Sequence, residues 1–255
     1  MDDNTQEYQC WLPTAPEPSH ELIVSLEQAT RNVQNATRRA VGSSRLADEI
    51  ATAFTTFFPT LFVNGKAIAF ACEESDQTRF KQSREICFIP KSEFARMNNP
   101  ALYYRYDWRT VMMAGIGWPE PFFTAVTMHE LGHALRHNNG VNMKMFSPEW
   151  ISEEVDMHEL ETSVIDHLTA GRYTQKIRRI CSQYPKAQSA IELMTMISAS
   201  DLIELDEITD TSKSGRTVRG TACAQYVLTL GFQFVVQHKG TSQDKMSFYQ
   251  WFIRK

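Results

Sequence analysis

Residues 122–137 read Phe-Phe-Thr-Ala-Val-Thr-Met-His-Glu-Leu-Gly-His-Ala-Leu-Arg-His, and no other stretch limits the fold as tightly. Pro119-Glu120-Pro121 before it suits a helix start, and Asn138-Asn139-Gly140 after it suits a helix C-cap. The spacing predicts a helix over 122–137. On such a helix His129 and His133, four residues apart, stand one above the other about 6 Å along the axis. Residues 122–128 are mostly apolar, so this part of the helix must be covered by other elements. The chain therefore has to place two imidazoles and the intervening Glu130 against a packed interior.

That requirement carries chemistry. Two histidines at this spacing can converge on one tetrahedral zinc, while the glutamate beside the first faces the metal-bound water. Zinc brings the pKa of that water near neutrality, and the carboxylate takes its proton as it attacks a carbonyl. The reading is His129 and His133 as metal ligands and Glu130 as general base, with one Zn2+ per chain. His137 is a poor third ligand: eight residues beyond His129, it lies about 12 Å further along an unbroken helix. It suits a helix C-terminus, where the dipole favours an imidazole, or a place behind the ligands.

A second helix is expected from Pro148 or Ser152 to about Ala170, ended by Gly171. Met157, Leu160, Val164 and Leu168 form its apolar stripe, with Ile165 at one edge and Glu161 inside it. A carboxylate in an apolar stripe is costly unless paired or bound to metal, which makes Glu161 the first candidate for third ligand. Glu153, in Trp150-Ile151-Ser152-Glu153, is the alternative. Against it stands an N-cap reading, in which Ser152 caps the helix and Glu153, Glu154 and Asp156 complement the dipole in its first turn. Glu154, Asp156 and His158 are weaker ligand candidates; His158, three residues before Glu161, could instead support it or simply be solvated.

The segment Phe122–His137, followed by a helix bearing Glu-Leu-Glu-Thr-Ser-Val-Ile, resembles the ImmA/IrrE family of intracellular zinc metallopeptidases and, more broadly, the gluzincins. The resemblance covers about a third of the chain, from Glu85 to Leu168. It implies His129, His133 and Glu161 as zinc ligands and Glu130 as general base. It implies peptide-bond hydrolysis with a protein or peptide substrate. The chain departs from that family at Thr162, Ile165 and Asp166, and in the aromatic stretch 99–121 with Tyr103, Tyr104, Tyr106, Trp108 and Trp118. One of those tyrosines could donate to an oxyanion, although packing is the commoner role of such residues.

The remaining segments define the expected architecture. A tail covers residues 1–18, where Pro13, Pro16 and Pro18 oppose regular helix. Helices follow from Ser19 to Gly42 and from Ser44 to Phe58. Asn64-Gly65 between two apolar runs suggests a hairpin over 61–70, and Glu85–Ile89 a further strand. Residues 99–121 read as loop, and 172–255 as mostly helical, with Ala222–Val236 a buried element despite Gln225, Thr229 and Gln233. The expected fold is α+β and zincin-like: a small antiparallel or mixed sheet, the His-bearing helix, a ligand-bearing helix and further helices. Residues 19–255 make one domain, with a core over about 60–171 and a helical extension beyond.

Composition bounds the partners. With 26 Lys plus Arg against 30 Asp plus Glu, the formal charge is -4, which gives no electrostatic footprint for nucleic acid or an anionic membrane. Lys176, Arg178 and Arg179 read as a solvated helix face. The five cysteines form no CxxC pair and suit buried thiols in a reducing compartment. No stretch reaches the roughly 18 apolar residues of a spanning helix, and no signal peptide is recognisable, so a cytoplasmic protein is expected. Two rival functions share these features. One is zinc-dependent hydrolysis of a non-peptide bond. The other is a non-catalytic metal-binding or interaction protein that keeps the site, for which Glu130 would serve no purpose.

Overall fold

The protein is described by a computed structural model over residues 43–57, 69–71, 85–87, 103–105, 110–112, 120–137, 144–213 and 216–255, with a few helical positions between 30 and 38. The tail 1–18, the body of the helix expected from Ser19, the first arm of the 61–70 hairpin and the Asn138–Gly140 cap lie outside these residues. The described residues make a helical protein with a few very short strands. They divide into two compact units, Met1–Ile116 with Val126–Asn142, and Gly117–Ala125 with Met143–Lys255.

In the first unit helix α1 spans Ser44–Phe57. Ala47, Ile50, Ala51, Phe54 and Phe57 recur at helical spacing and are buried, so the apolar stripe written in the sequence is the face the helix covers. Strand β1 (Ala69–Ala71) pairs in parallel with β2 (Glu85–Cys87), Ala69 opposite Glu85. The partner of β1 among the described residues is thus a strand further along the chain. Strands β3 (Tyr103–Arg105) and β4 (Thr110–Met112) form an antiparallel ladder, Tyr104 opposite Val111, within the stretch expected to be loop. Aromatic and β-branched residues suit a pleated ladder, and that preference prevails here over the absence of clear alternation. Helix α2, Glu120–His137, begins in the second unit and ends in the first.

The second unit is built around one long helix. Its elements are α3 (Pro148–Leu168), α4 (Arg172–Gln183), α5 (Ala190–Met196), α6 (Ala199–Ile208), a 3-10 turn at Thr211–Lys213, α7 (Arg216–Gln237) and α8 (Ser242–Phe252). Helix α7, about 33 Å long at 1.5 Å per residue, packs against α3, α4, α5, α6 and α8. Ala222, Tyr226, Leu228, Leu230, Phe232 and Phe234 are all buried, and together they occupy most of its circumference. A helix apolar nearly all round has to sit inside, and this run is the buried element expected at 222–236. Gly231 allows α8 its close approach, because a Cβ there would overlap the ring of Phe248.

Helix ends in this unit are locally specified. Helix α3 stops in a Schellman arrangement: Gly171 N–H donates to Asp166 O at 2.8 Å and Ala170 N–H to His167 O at 3.1 Å. Gly171 then starts α4 at φ 79 with no side chain to cap it, and the Asp166 carboxylate accepts from Thr174 N–H at 2.7 Å instead. Ser198 with Asp201 and Thr241 with Asp244 form reciprocal capping boxes on α6 and α8. Lys176 departs from the solvated face expected for its cluster: only 15% of its side chain is exposed, and it pairs with Glu204, which also receives Arg179. No helix among the described residues is long and apolar enough to cross a membrane.

Candidate metal centre

Helix α2 carries two candidate metal ligands, His129 and His133. Phe122, Phe123, Ala125, Met128 and Leu131 are buried around it, and Thr124, Thr127, His129, Glu130 and His133 are buried with them. The two imidazoles meet edge to face, centroids 4.7 Å apart, with their Nε2 atoms 3.0 Å from each other. The i, i+4 geometry has therefore brought two lone-pair nitrogens to one point inside the protein. An ion held about 2.0–2.1 Å from each nitrogen would sit between them, and widening the pair to about 3.3 Å would give it a tetrahedral angle. The donor set suits a borderline ion such as zinc. His137 is the last residue of the helix, as the dipole argument has it.

Helix α3 carries the second group, and its start differs from the expectation. Ser147, not Ser152, is the N-cap: its hydroxyl accepts from Trp150 N–H at 3.3 Å, and Pro148 opens the helix. Glu149 is consequently the first-turn carboxylate, held below the usual range by the backbone N–H and the Ser147 hydroxyl. Glu153 and Glu154 lie in the second turn, beyond the helix's orphan amides, so the dipole no longer explains them. Glu153 is buried and Glu154 partly so.

Glu161 is buried to 4% exposure beside Met157, Leu160, Val164 and Ile165, which lie at 3% or less. His158, with 17% of its side chain exposed, brings Nδ1 to 3.1 Å from Glu161 Oε2 and to 3.1 Å from Gln225 Oε1 on α7. Burial opposes charge on this ring, but the Glu161 carboxylate, with Glu154 and Gln225, outweighs it and holds the imidazole above the usual histidine range. The solvated reading of His158 is thereby corrected.

The carbonyl of His158 is fixed as well. Tyr173 O–H donates to Thr229 Oγ1 at 3.2 Å, Thr229 is bonded to Thr162 Oγ1 at 3.0 Å, and Thr162 donates to His158 O at 3.0 Å. Since the Thr162 proton is committed to that carbonyl, Thr229 is the donor of the middle link. Tyr249 of α8 completes the surroundings, its ring 5.5 Å from that of His158 and its hydroxyl 3.5 Å from Glu154 Oε2.

Among the described residues, the side chains that could serve as metal ligands are His129 and His133 on α2 and, taken separately, Glu154, His158 and Glu161 on α3. Glu153, the alternative third ligand from the sequence, is not among them. Tyr103 and Tyr104 lie in β3, and Tyr106 falls outside the described residues. Gln225, Thr229 and Tyr173 were not anticipated as parts of this region. The signal available for two of them was a polar residue every fourth position, Gln225 and Thr229, within an apolar helix. The chain matches no protein-family profile, no curated protein and no solved structure.

Proposed function

We propose that this protein is a divalent-metal hydrolase, with zinc as the native ion, that cleaves peptide bonds in a protein or peptide substrate. The observation that carries the reading is the buried His129–His133 pair, Nε2 to Nε2 at 3.0 Å, with Glu130 buried beside it in an HExxH sequence. The third ligand in this reading is the carboxylate of Glu161, with Glu154 as the competitor from the same helix. The local likeness to ImmA/IrrE and gluzincin sequences favours peptide bonds over other substrates, and the ion when bound supplies Lewis acidity and acidifies water.

The chain's own residues divide the remaining work. His129 and His133 are buried, as are Met128 and Leu131 of the same helix, so an ion held by the pair would be kept from bulk water. Glu130, one residue on and about 100° around the helix from His129, takes a proton from the attacking water and returns it to the departing amine. A purely structural site has no use for that carboxylate.

The test joins composition to turnover. One zinc per chain by mass spectrometry, lost in His133→Ala, is expected. Glu130→Gln should retain the metal and lose hydrolysis of a denatured-protein substrate by at least about a hundredfold, the usual scale for a general base. Hydrolysis that survives in Glu130→Gln refutes the mechanism. Metal bound without turnover on any peptide, protein or ester substrate would leave a binding protein.

A further inference from the structure

We infer that Phe122 is a positioning residue for the metal pair: seated against Tyr226 in the second unit, it orders the helix that presents His129 and His133, and a metal bound by the pair stabilises the second unit in return. The inference rests on the reading of His129 and His133 as metal ligands. It concerns the helix that carries them and needs no third ligand.

The boundary between the two units falls at Ala125–Val126, inside α2, which is helical from Glu120 to His137. The first turns of α2 therefore belong to the second unit and both imidazoles to the first. Within the second unit those turns are fully seated. Phe122, Phe123, Thr124 and Ala125 are each 2% exposed or less, and the Phe122 ring stands edge to face on Tyr226 of α7, centroids 5.6 Å apart. Tyr226 is itself fully buried. Its hydroxyl donates to Asp206 Oδ1 at 3.0 Å and lies 2.6 Å and 3.2 Å from the hydroxyls of Thr209 and Thr211. Phe122 thus rests on a ring whose far end is fixed by three groups of α6 and the turn after it.

Helix geometry carries this grip to the ligands. Phe122 precedes His129 by seven residues and His133 by eleven, so at 100° per residue both imidazoles lie within about 20° of its direction around the axis. A rotation of α2 prevented at Phe122 is prevented at the pair. Residues 126–137 alone would make a twelve-residue helix with Gly132 inside it, a length at which an isolated helix is marginal in water. The turns seated in the second unit supply the nucleus from which this stretch propagates. Ordering that precedes binding raises affinity, and linkage requires the metal to stabilise in equal measure what ordered its ligands.

The test uses the full chain and two readouts. Zn2+ affinity is measured by competition with a chromophoric chelator for wild type, Phe122→Ala, Phe122→Leu, Phe248→Ala and His133→Ala. Phe248, on α8, is buried in the same unit and reports an equal truncation away from α2. Phe122→Ala is expected to bind Zn2+ at least about fivefold more weakly, the lower end of couplings between sites, with Phe122→Leu and Phe248→Ala within about twofold of wild type. Amide exchange read by mass spectrometry measures the reciprocal effect: saturating Zn2+ should slow exchange in Arg216–Gln237 of α7 in wild type and not in His133→Ala. That arm needs no core substitution, so it decides the matter even where Phe122→Ala fails to fold.

Zn2+ affinity unchanged in Phe122→Ala, or lowered as much in Phe248→Ala, overturns the positioning role. If wild type binds no Zn2+, or His133→Ala binds it as tightly, the metal pair itself has failed and the inference falls with it. Zn2+ bound through His133 without protection of α7 sinks the inference alone.

Discussion

The hydroxyl relay behind His158 gives a prediction whose size follows from counting bonds. Tyr173 is fully buried, and its O–H donates to Thr229 Oγ1 at 3.2 Å. Tyr173→Phe removes one donor and leaves Thr229 still bonded to Thr162, so the cost should be about 1 kcal/mol. Thr229→Val preserves shape but strands the Tyr173 hydroxyl in the core and deprives Thr162 of the bond from Thr229. An orphaned buried hydroxyl costs about 1–3 kcal/mol, and the variant should lose roughly 2–3 kcal/mol in all. In the double variant no tyrosine hydroxyl remains to be stranded, so the total should fall short of the two single costs by at least about 1 kcal/mol. Urea unfolding followed by far-UV circular dichroism at pH 7, with the slope unchanged between variants, measures all three. Additivity within about 0.5 kcal/mol, the behaviour of independent sites, would refute the relay as drawn.

Two further outcomes can be checked by the same unfolding assay. Asp201 caps α6: burial alone would raise its pKa, but hydrogen bonds from Ser198 and Tyr184 outweigh that and hold it below the usual carboxylate value. A lowered folded-state pKa stabilises above the unfolded value and is lost as pH falls below it. The advantage of wild type over Asp201→Asn should therefore be full at pH 6 and shrink as pH drops below about 3.8, and a pH-independent difference would contradict this. Gly231→Ala gains about 1 kcal/mol of helix propensity but drives a Cβ into the Phe248 ring, which is held by Phe232 at 6.0 Å and Trp251 at 5.6 Å. Overpacking should win and cost a net 1–2 kcal/mol, so a more stable variant would refute that packing.

What the sequence disclosed depended on whether the signal was local. The helix with His129 and His133, the stop at Gly171 and the apolar stripe of α1 were legible because helical periodicity and caps reside in neighbouring residues. The burial of Glu161 was legible for the same reason, since Met157 and Val164 flank it at helical spacing. The parallel pairing of β1 with β2 was not, because nothing in either three-residue segment encodes its partner or direction. Nor was the partnership of His158 with Gln225, which lie 67 positions apart. The start of α3 was misplaced because Ser147 and Ser152 both have the chemistry of a cap; Pro148 directly after the first is what distinguishes them.

That cap bears on the third ligand. With the helix beginning at Pro148, Glu153, Glu154 and Glu161 all fall on one face. Relative to Met157 they lie about 40° to one side, 60° to the other and 40° to that same other side, at 100° per residue. The stripe argument that singled out Glu161 therefore admits all three, and rotation about the axis cannot separate them. Rise can. Glu154 and Glu161 are seven residues and about 10.5 Å apart along the helix, too far for both to anchor one ion in the same way. His158 lies between them; its Nδ1 is 3.1 Å from Glu161 Oε2, and the Tyr249 hydroxyl is 3.5 Å from Glu154 Oε2. A ligand carboxylate needs a donor that fixes one oxygen and leaves the other for the metal, and an imidazole N–H at 3.1 Å does this better than a phenol at the limit of hydrogen bonding. On that ground Glu161→Ala should cost more Zn2+ affinity than Glu154→Ala or Glu153→Ala. The opposite order would move the ion toward the N-terminal end of α3 and leave the His158–Glu161 pair a structural contact.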